Sequence, residues 1–251
     1  MSNVMHRTFV LMVTSGTVAL STATVSSAAA RAVPAPARTS PSLPAVASQT
    51  AAAEAAYDRV AKAWSAQRSL EARFEQTITN SLLGKTMTSR GLFQQQRPNK
   101  VSITFTDPAG DRIVGDGKSL WVYLPSSSPG QVFKLPANAD GAIVADLLGQ
   151  LLDAPKKTFA ISGGEAATVQ GRATRRVQLV PRAPGTVPFQ KATLWLDEKD
   201  PRPIRVQLLD AQGIDRTITL TTWTPDAKLA AKTFTFSPPK GVKVLTRLPG
   251  A

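Results

Sequence analysis

The chain has 251 residues, a formal charge of +13, no cysteine and one histidine, His6. Beyond its first few residues it therefore offers no Ser-His-Asp or Cys-His nucleophilic site and none of the usual zinc ligand sets, whereas a pair of carboxylates of the glycosidase kind passes this filter. The surplus of positive charge favours acidic partners, namely nucleic acid, anionic lipid headgroups or an acidic protein surface, and is equally what a solvated basic surface would show.

Residues 1–30 read as a secretory signal peptide. His6 and Arg7 give a weakly positive start, Phe9 to Leu20 is apolar, and Ala28-Ala29-Ala30 supplies the small-residue cleavage pattern. The apolar stretch is too short and too broken by Thr, Ser and Gly to span a bilayer, which takes about 20 mostly apolar residues. Residues 31–49, built from Ala, Pro and Ser, cannot bury enough apolar surface to offset their ordering entropy and read as a flexible linker. A single folded domain is expected over residues 50–251. Export argues against nucleic acid as the acidic partner, and no cysteine follows the leader to carry a lipid.

The spacing predicts a helix from Ala51 to about Gln67, with Ala56, Val60, Ala63 and Trp64 along one face. Leu70, Ala72 and Phe74 then alternate with Glu71, Arg73 and Glu75, the period of a half-buried strand that continues to a turn near Leu83-Gly84-Lys85. Strands follow at Leu92 to Gln96, Lys100 to Thr106, Asp111 to Gly115, Ser119 to Leu124 and Gln131 to Leu135. A second set is expected at Thr158 to Ser162, Ala173 to Val180, Phe189 to Leu196, Ile204 to Leu209, Arg216 to Trp223 and Thr233 to Phe236. Gly, Pro, Asn and Asp occupy the separators of the first set, and the order lacks any βαβ alternation, so the reading is an antiparallel meander.

Between the two sets, NADGAIVADLLGQLLDAP breaks the pattern. Ile143, Val144, Leu147, Leu148, Leu151 and Leu152 share one helical face, with Asp140 as cap and Pro155 as stop. Two readings of this helix stay open at this point: one that packs on the sheet as core, and one that covers an apolar cavity and can be displaced from it. Arg97-Pro98 sits directly before the alternating run Val101, Ile103, Phe105, a place where a proline marks a strand start or edge.

Other candidates have plainer explanations. Asp107, Asp111 and Asp116 flank Pro108, Gly110 and Gly117, where turns favour Asp, and their spacing is not that of a calcium loop. Asp197, Glu198 and Asp200 form the acidic tip of a hairpin. Gly163-Gly164 lacks a phosphate-loop continuation and reads as a turn. Arg172, Arg175 and Arg176 lie on a strand without interleaved aromatics, which suits a solvated or membrane-facing patch better than a nucleic-acid site. In DGKSLWVYLP, Leu120, Val122 and Leu124 share one face of a strand and Trp121 and Tyr123 the other, so both faces meet apolar surface.

The run RSLEARFEQTI, then GLFQQQRPNKVSITF, DGKSLWVYLP, QVFKLP and KTFTFSPPKGVKV, in this order and spacing from about Ala53 to Val244, resembles the periplasmic outer-membrane lipoprotein carrier family, LolA. The resemblance implies a mainly β fold, an incomplete antiparallel β-barrel closed by an α-helical lid over an apolar cavity that receives acyl chains. It implies a periplasmic monomer without enzymatic activity, cofactor or metal. Its expected partners are acylated lipoproteins, the inner-membrane ATP-driven lipoprotein-releasing complex and an outer-membrane lipoprotein acceptor. The expected cavity residues are Phe74, Val101, Ile103, Phe105, Trp121 and Tyr123, with Leu147, Leu148, Leu151 and Leu152 on the lid. Arg97 matches the family's arginine before Pro-Asn, whose implied role is to hold the lid by hydrogen bonds; a planar guanidinium can serve several acceptors at once. The alternatives are a periplasmic lipid-binding sensor of the same fold, a type expected to carry a further C-terminal domain absent here, a carrier of another acylated envelope lipid, and an enzyme working through Asp and Glu.

Overall fold

A computed structural model describes residues 43–137, 146–154 and 156–247. Helix α1 spans Leu43–Ala66, about 36 Å at ~1.5 Å per residue. It buries Ala53, Ala56, Tyr57, Val60 and Trp64, a stripe at helical spacing, while Ala63 is only half-buried. The helix begins at Leu43, earlier than the sequence reading placed it, so the last residues assigned to a flexible linker, 43–49, are helical. Alanine and serine that look like linker in isolation are helix-compatible once a sheet lies beneath them. Here Gly164 makes the approach possible: a Cβ on it would come within 1.9 Å of the Gln49 carbonyl oxygen.

Thirteen strands among the described residues join one sheet. The first run is β1 (Ser69–Asn80), β2 (Lys85–Gln96), β3 (Lys100–Asp107), β4 (Ala109–Gly115), β5 (Ser119–Tyr123) and β6 (Gln131–Pro136). The second is β7 (Phe159–Val169), β8 (Arg172–Pro181), β9 (Lys191–Asp197), β10 (Pro203–Leu209) and β11 (Ile214–Leu220), followed by the short β12 (Thr224–Pro225) and β13 (Lys243–Leu245). Each run is a meander, and the two meet where β1 pairs antiparallel with β11. The order β13-β6-β5-β4-β3-β2-β1-β11-β10-β9-β8-β7 leaves β13 and β7 as unjoined edges, so the sheet is open. All pairings are antiparallel except β13 with β6. Ile113 of β4 and Val206 of β10 nevertheless line one cavity. Five strand spacings of ~4.8 Å would hold them about 24 Å apart in a flat sheet, so the sheet curls into a half-barrel.

Helix α1 lies on β7, β8 and β9 and touches a second helix, α2 (Leu147–Leu152). None of the helices described is long and apolar enough to cross a membrane. Three local readings are corrected. Residues 233–236 are not a strand: Ala231–Phe234 form a 3-10 turn, Thr235 and Phe236 follow without pairing, and the terminal strand is β13. Gly163-Gly164 is not a turn but a bulge within β7, where α1 crosses. The basic strand is not a free patch. Arg172 pairs with Asp197 and Asp200, Arg175 with Glu198, and Arg176 with Glu165, while Arg59 of α1 donates to the carbonyls of Asp197 and Glu198. Burial alone would raise the Asp197 carboxyl, but the Arg172 guanidinium and the backbone N–H groups of Asp200 and Lys199 outweigh it and hold that carboxyl below its usual range. The acidic hairpin tip and the basic strand thus neutralise each other and anchor α1.

Candidate functional site

Strand register decides which face of the sheet is concave. Phe74 stands opposite Gly91, Gly91 opposite Phe105, and Ile103 opposite Ile113 across β1 to β4, so all lie on one face. From the other side Leu220, Ile218 and Val206 of β11 and β10 join them. The rings of Phe74 and Phe105 meet edge to face, with centroids 5.7 Å apart at 87°. Gly91 leaves room for that pair, since a Cβ there would lie 2.8 Å from the Phe74 ring and 2.5 Å from the Thr104 carbonyl oxygen.

The cavity enclosed by this wall and α2 has a volume of about 100 Å³, with Leu147 and Leu148 closing it. That is smaller than the roughly 150 Å³ void that takes up one benzene. As it stands it is largely filled by the lid. Of the residues named from the sequence, Phe74, Ile103, Phe105, Leu147 and Leu148 line it. Val101 is on the same face but buried in the core beside it, and Leu151 and Leu152 of α2 are buried in that core as well.

Trp121 and Tyr123 do not join the wall. They pair with Val114 and Arg112 on the opposite face, where both rings pack on Phe236, at 5.6 and 5.7 Å between centroids. Lys134 lies over the Trp121 ring. The concave residues of β5 are instead Leu120 and Val122, paired with Leu135 and Phe133. Both faces of β5 are apolar because the segment after β12 covers its outside. Alternation gives faces without saying which one is inward.

Helix α2 is held at three points. At its start Asp146 is the N-cap, accepting from the backbone N–H of Gly149 at 3.1 Å, and it also accepts from Nε2 of Gln95 on β2 at 2.8 Å. In its last turn the buried Tyr57 hydroxyl of α1 donates to the Leu151 carbonyl at 2.7 Å. At its end Asp153 accepts from Nη2 of Arg97 through both oxygens, at 2.8 and 3.0 Å. The same Nη2 approaches the Trp64 carbonyl at 3.3 Å, and the guanidinium lies 5.1 Å from the Trp64 ring centroid. Gln95 near the end of β2 and Arg97 in the turn just past it thus reach the two ends of a six-residue helix. Asp140, Ile143, Val144 and Pro155 lie outside the described residues; the cap of Leu147–Leu152 is Asp146.

Burial raises the Asp146 carboxyl above its ordinary value; bonds from Gly149 and Gln95 oppose this without cancelling it. Burial also pushes the Tyr57 hydroxyl up to about 12. It remains a donor throughout the physiological range.

The sequence model of the family described as outer membrane lipoprotein carrier protein LolA matches residues 65–237, most of the described chain. The chain belongs to this family. An outer-membrane lipoprotein carrier protein of Methylibium petroleiphilum is 30% identical over 178 residues, covering 70% of this chain and 82% of that protein. The carrier of Dechloromonas aromatica is 30% identical over 178 residues, and that of Chromobacterium violaceum 29% over 182. Among solved structures, a conserved protein of Thermus thermophilus superposes with a TM-score of 0.49 at 16% identity, over 78% of this chain and 99% of that one. A LolA superfamily protein of Nitrosomonas europaea gives 0.38 at 14%, over 73% and 97%. LolA proteins are lipoprotein carriers and not an enzyme family, which accords with a site made of apolar side chains and a hydrogen-bonded lid.

Sequence reasoning missed Gln95, Tyr57, Asp146 and Asp153 as members of this site. Gln95 carried a faint signal, since it follows Phe93 in the inward row of β2 and is buried, where a polar side chain needs a partner.

Proposed function

We propose that this protein carries acylated lipoproteins across the periplasm, taking them from the inner-membrane ATP-driven releasing complex and delivering them to an outer-membrane acceptor. Residues 1–30 serve as its export leader. The observation that carries the reading is an apolar concave wall closed by a short helix whose two ends are held by side chains of the wall itself.

Acyl chains enter by displacing Leu147 and Leu148. Opening costs three hydrogen bonds at ~1 kcal/mol each and the exposure of two leucines at ~2 kcal/mol each, about 7 kcal/mol. Burying a chain returns ~0.8 kcal/mol per methylene, so about nine methylenes are needed to break even. Long acyl chains open the lid and short ones do not. In the empty protein the lid takes their place, which lowers the cost of giving up cargo to a better acceptor.

Arg97 is the latch in this scheme. Arg97→Leu favours the open, loaded state over the closed, empty one, so uptake persists and hand-over falls. The test is purification from the periplasm with mass spectrometry of bound species, together with release of lipoproteins from spheroplasts. Acylated lipoprotein in both, and an Arg97→Leu protein that releases but does not deliver, are expected. Absence of acylated species in repeated native preparations, together with no release, would falsify the carrier reading.

A further inference from the structure

Two polar side chains line the cavity: Gln76, which donates to the Ser89 hydroxyl, and Arg216. Arg216 lies on the inward face of β11, opposite Ile78 of β1 and Leu208 of β10, and its side chain helps line the cavity. Among the described residues its guanidinium makes no hydrogen bond or ion pair; the charge it feels is that of Asp210 in the β10–β11 turn. Several other arginines are treated differently. Arg97, Arg172 and Arg175 each meet a carboxylate. Arg216 is half-buried, so in the empty protein water serves its nitrogens, and a ligand that displaces that water must bring oxygens in its place.

Its position along the cavity indicates what that could be. Arg216 is level with Ile78, whereas the clasp that holds α2 is level with Leu70, which stands opposite Gln95. Eight residues of strand separate the two levels, about 26 Å at ~3.3 Å per residue. Between them run Gln76, Ile218, Phe74 and Leu220. A chain lying along this wall with its end at α2 would bring its polar head to Arg216.

We propose that Arg216 is a headgroup site, and that the cavity takes a long-chain amphiphile whose anionic oxygens, a carboxylate or a phosphate, pair with this guanidinium while the alkyl chain runs toward Phe74 and Phe105. This goes beyond the lipoprotein cargo, whose ester and amide head carries no such anion, and rests on the carrier reading for the apolar wall and its lid. A bidentate fork suits both oxygen groups, and the charge-assisted bonds gain strength from the apolar surroundings. Burial lowers the Arg216 pKa without neutralising it at any physiological pH, so the charge is permanent.

The experiment uses the full mature chain and measures binding of three probes with the same sixteen-carbon alkyl length, namely hexadecanol, palmitate and hexadecyl phosphate, to wild type, Arg216→Met and Arg216→Lys. In wild type the anionic probes are expected to bind about tenfold more tightly than the alcohol, and Arg216→Met to abolish that preference while binding the alcohol at least as well. Arg216→Lys keeps part of the preference. The two anionic arms tell a carboxylate from a phosphate source. Equal binding of all three probes by wild type, or a preference that survives in Arg216→Met, overturns the headgroup site. Failure of every probe, hexadecanol included, to bind wild type would instead strike at the carrier reading itself. Thermal melting of Arg216→Met, expected to match or exceed wild type because a half-buried cation is removed from an apolar wall, distinguishes loss of site from loss of fold.

Discussion

At the Leu70 end of the β1–β2 hairpin the polar side chains that reach toward α2 have partners beside it: Gln95 holds Asp146, and Arg97 holds Asp153. Toward the other end Arg216 has none among the described residues; Met87 stands exposed at its level, and Leu82 and Leu83 stand exposed beyond it. One pair of strands therefore has a closed end, where a helix is fastened, and an open end of cation and apolar side chains. Fastening requires complementary groups fixed in one geometry; a site that receives cargo must leave some groups unsatisfied until the cargo arrives. The hairpin spans both ends because twelve residue pairs in register carry inward positions over its whole length, and β11 lays Arg216 beside its far end.

Substitutions at the two ends should differ in kind. The largest effect is expected for Leu148→Ala, which removes a buried side chain of α2 from the cavity. It should cost roughly 2–4 kcal/mol in urea unfolding of the empty protein and, in contrast to an ordinary core truncation, tighten binding of a long-chain probe, because the lid plugs less. Weaker probe binding alongside the lost stability would mean that Leu148 is only core.

Tyr57→Phe comes next. It leaves the Leu151 carbonyl without its buried donor, at a cost of about 1–2 kcal/mol. The wild-type tyrosine also adds a pH dependence whose sign follows from its raised pKa. Below pH 10 the folded and unfolded hydroxyls are both protonated and the contribution is intact. Between pH 10 and about 12 the unfolded chain loses the proton first, so stability falls by up to ~2–3 kcal/mol. Thermal melts across this interval should show that loss in wild type and a smaller one in Tyr57→Phe; parallel curves would place Tyr57 outside the clasp.

The smallest effect belongs to the open half. Arg90 and Glu75 form an ion pair with both side chains more than half exposed, and Arg90→Ala should change stability by less than ~0.5 kcal/mol and leave probe binding alone. A cost comparable to that of Tyr57→Phe would erase the distinction between the two ends.

How much of this was legible in the sequence depends on the range of the interaction. Two-residue periodicity located Phe74, Ile103 and Phe105 on one wall, because period and face are local properties of a strand. The greasy spacing of Leu147, Leu148, Leu151 and Leu152 likewise announced a helix, though its cap is Asp146. Trp121 and Tyr123 were assigned to the cavity and lie outside it, since only Phe236, more than a hundred positions later, shows what covers them. Tyr57 with Leu151, Gln95 with Asp146 and Arg97 with Asp153 are separated by 94, 51 and 56 positions. No periodicity pairs residues so far apart; the register of the sheet does. Arg216 in IDRTITL shares its row with Ile214, Ile218 and Leu220, but its place over the cavity shows only once β11 is set beside β1.

The central claim is that α2 is a fastened lid and not fixed core. The absence of cysteine makes it directly measurable, because two introduced cysteines are the only sites for spin labels. Labels at Ala154→Cys, just past α2, and at Arg73→Cys, exposed on the outer side of β1, report the separation of lid and wall by pulsed electron resonance. The account predicts one narrow distance in the empty protein, a longer and broader distribution when a long-chain ligand is bound, and a share of that longer distribution without ligand in Arg97→Leu. A single distance, unchanged by ligand and by the substitution, would contradict it.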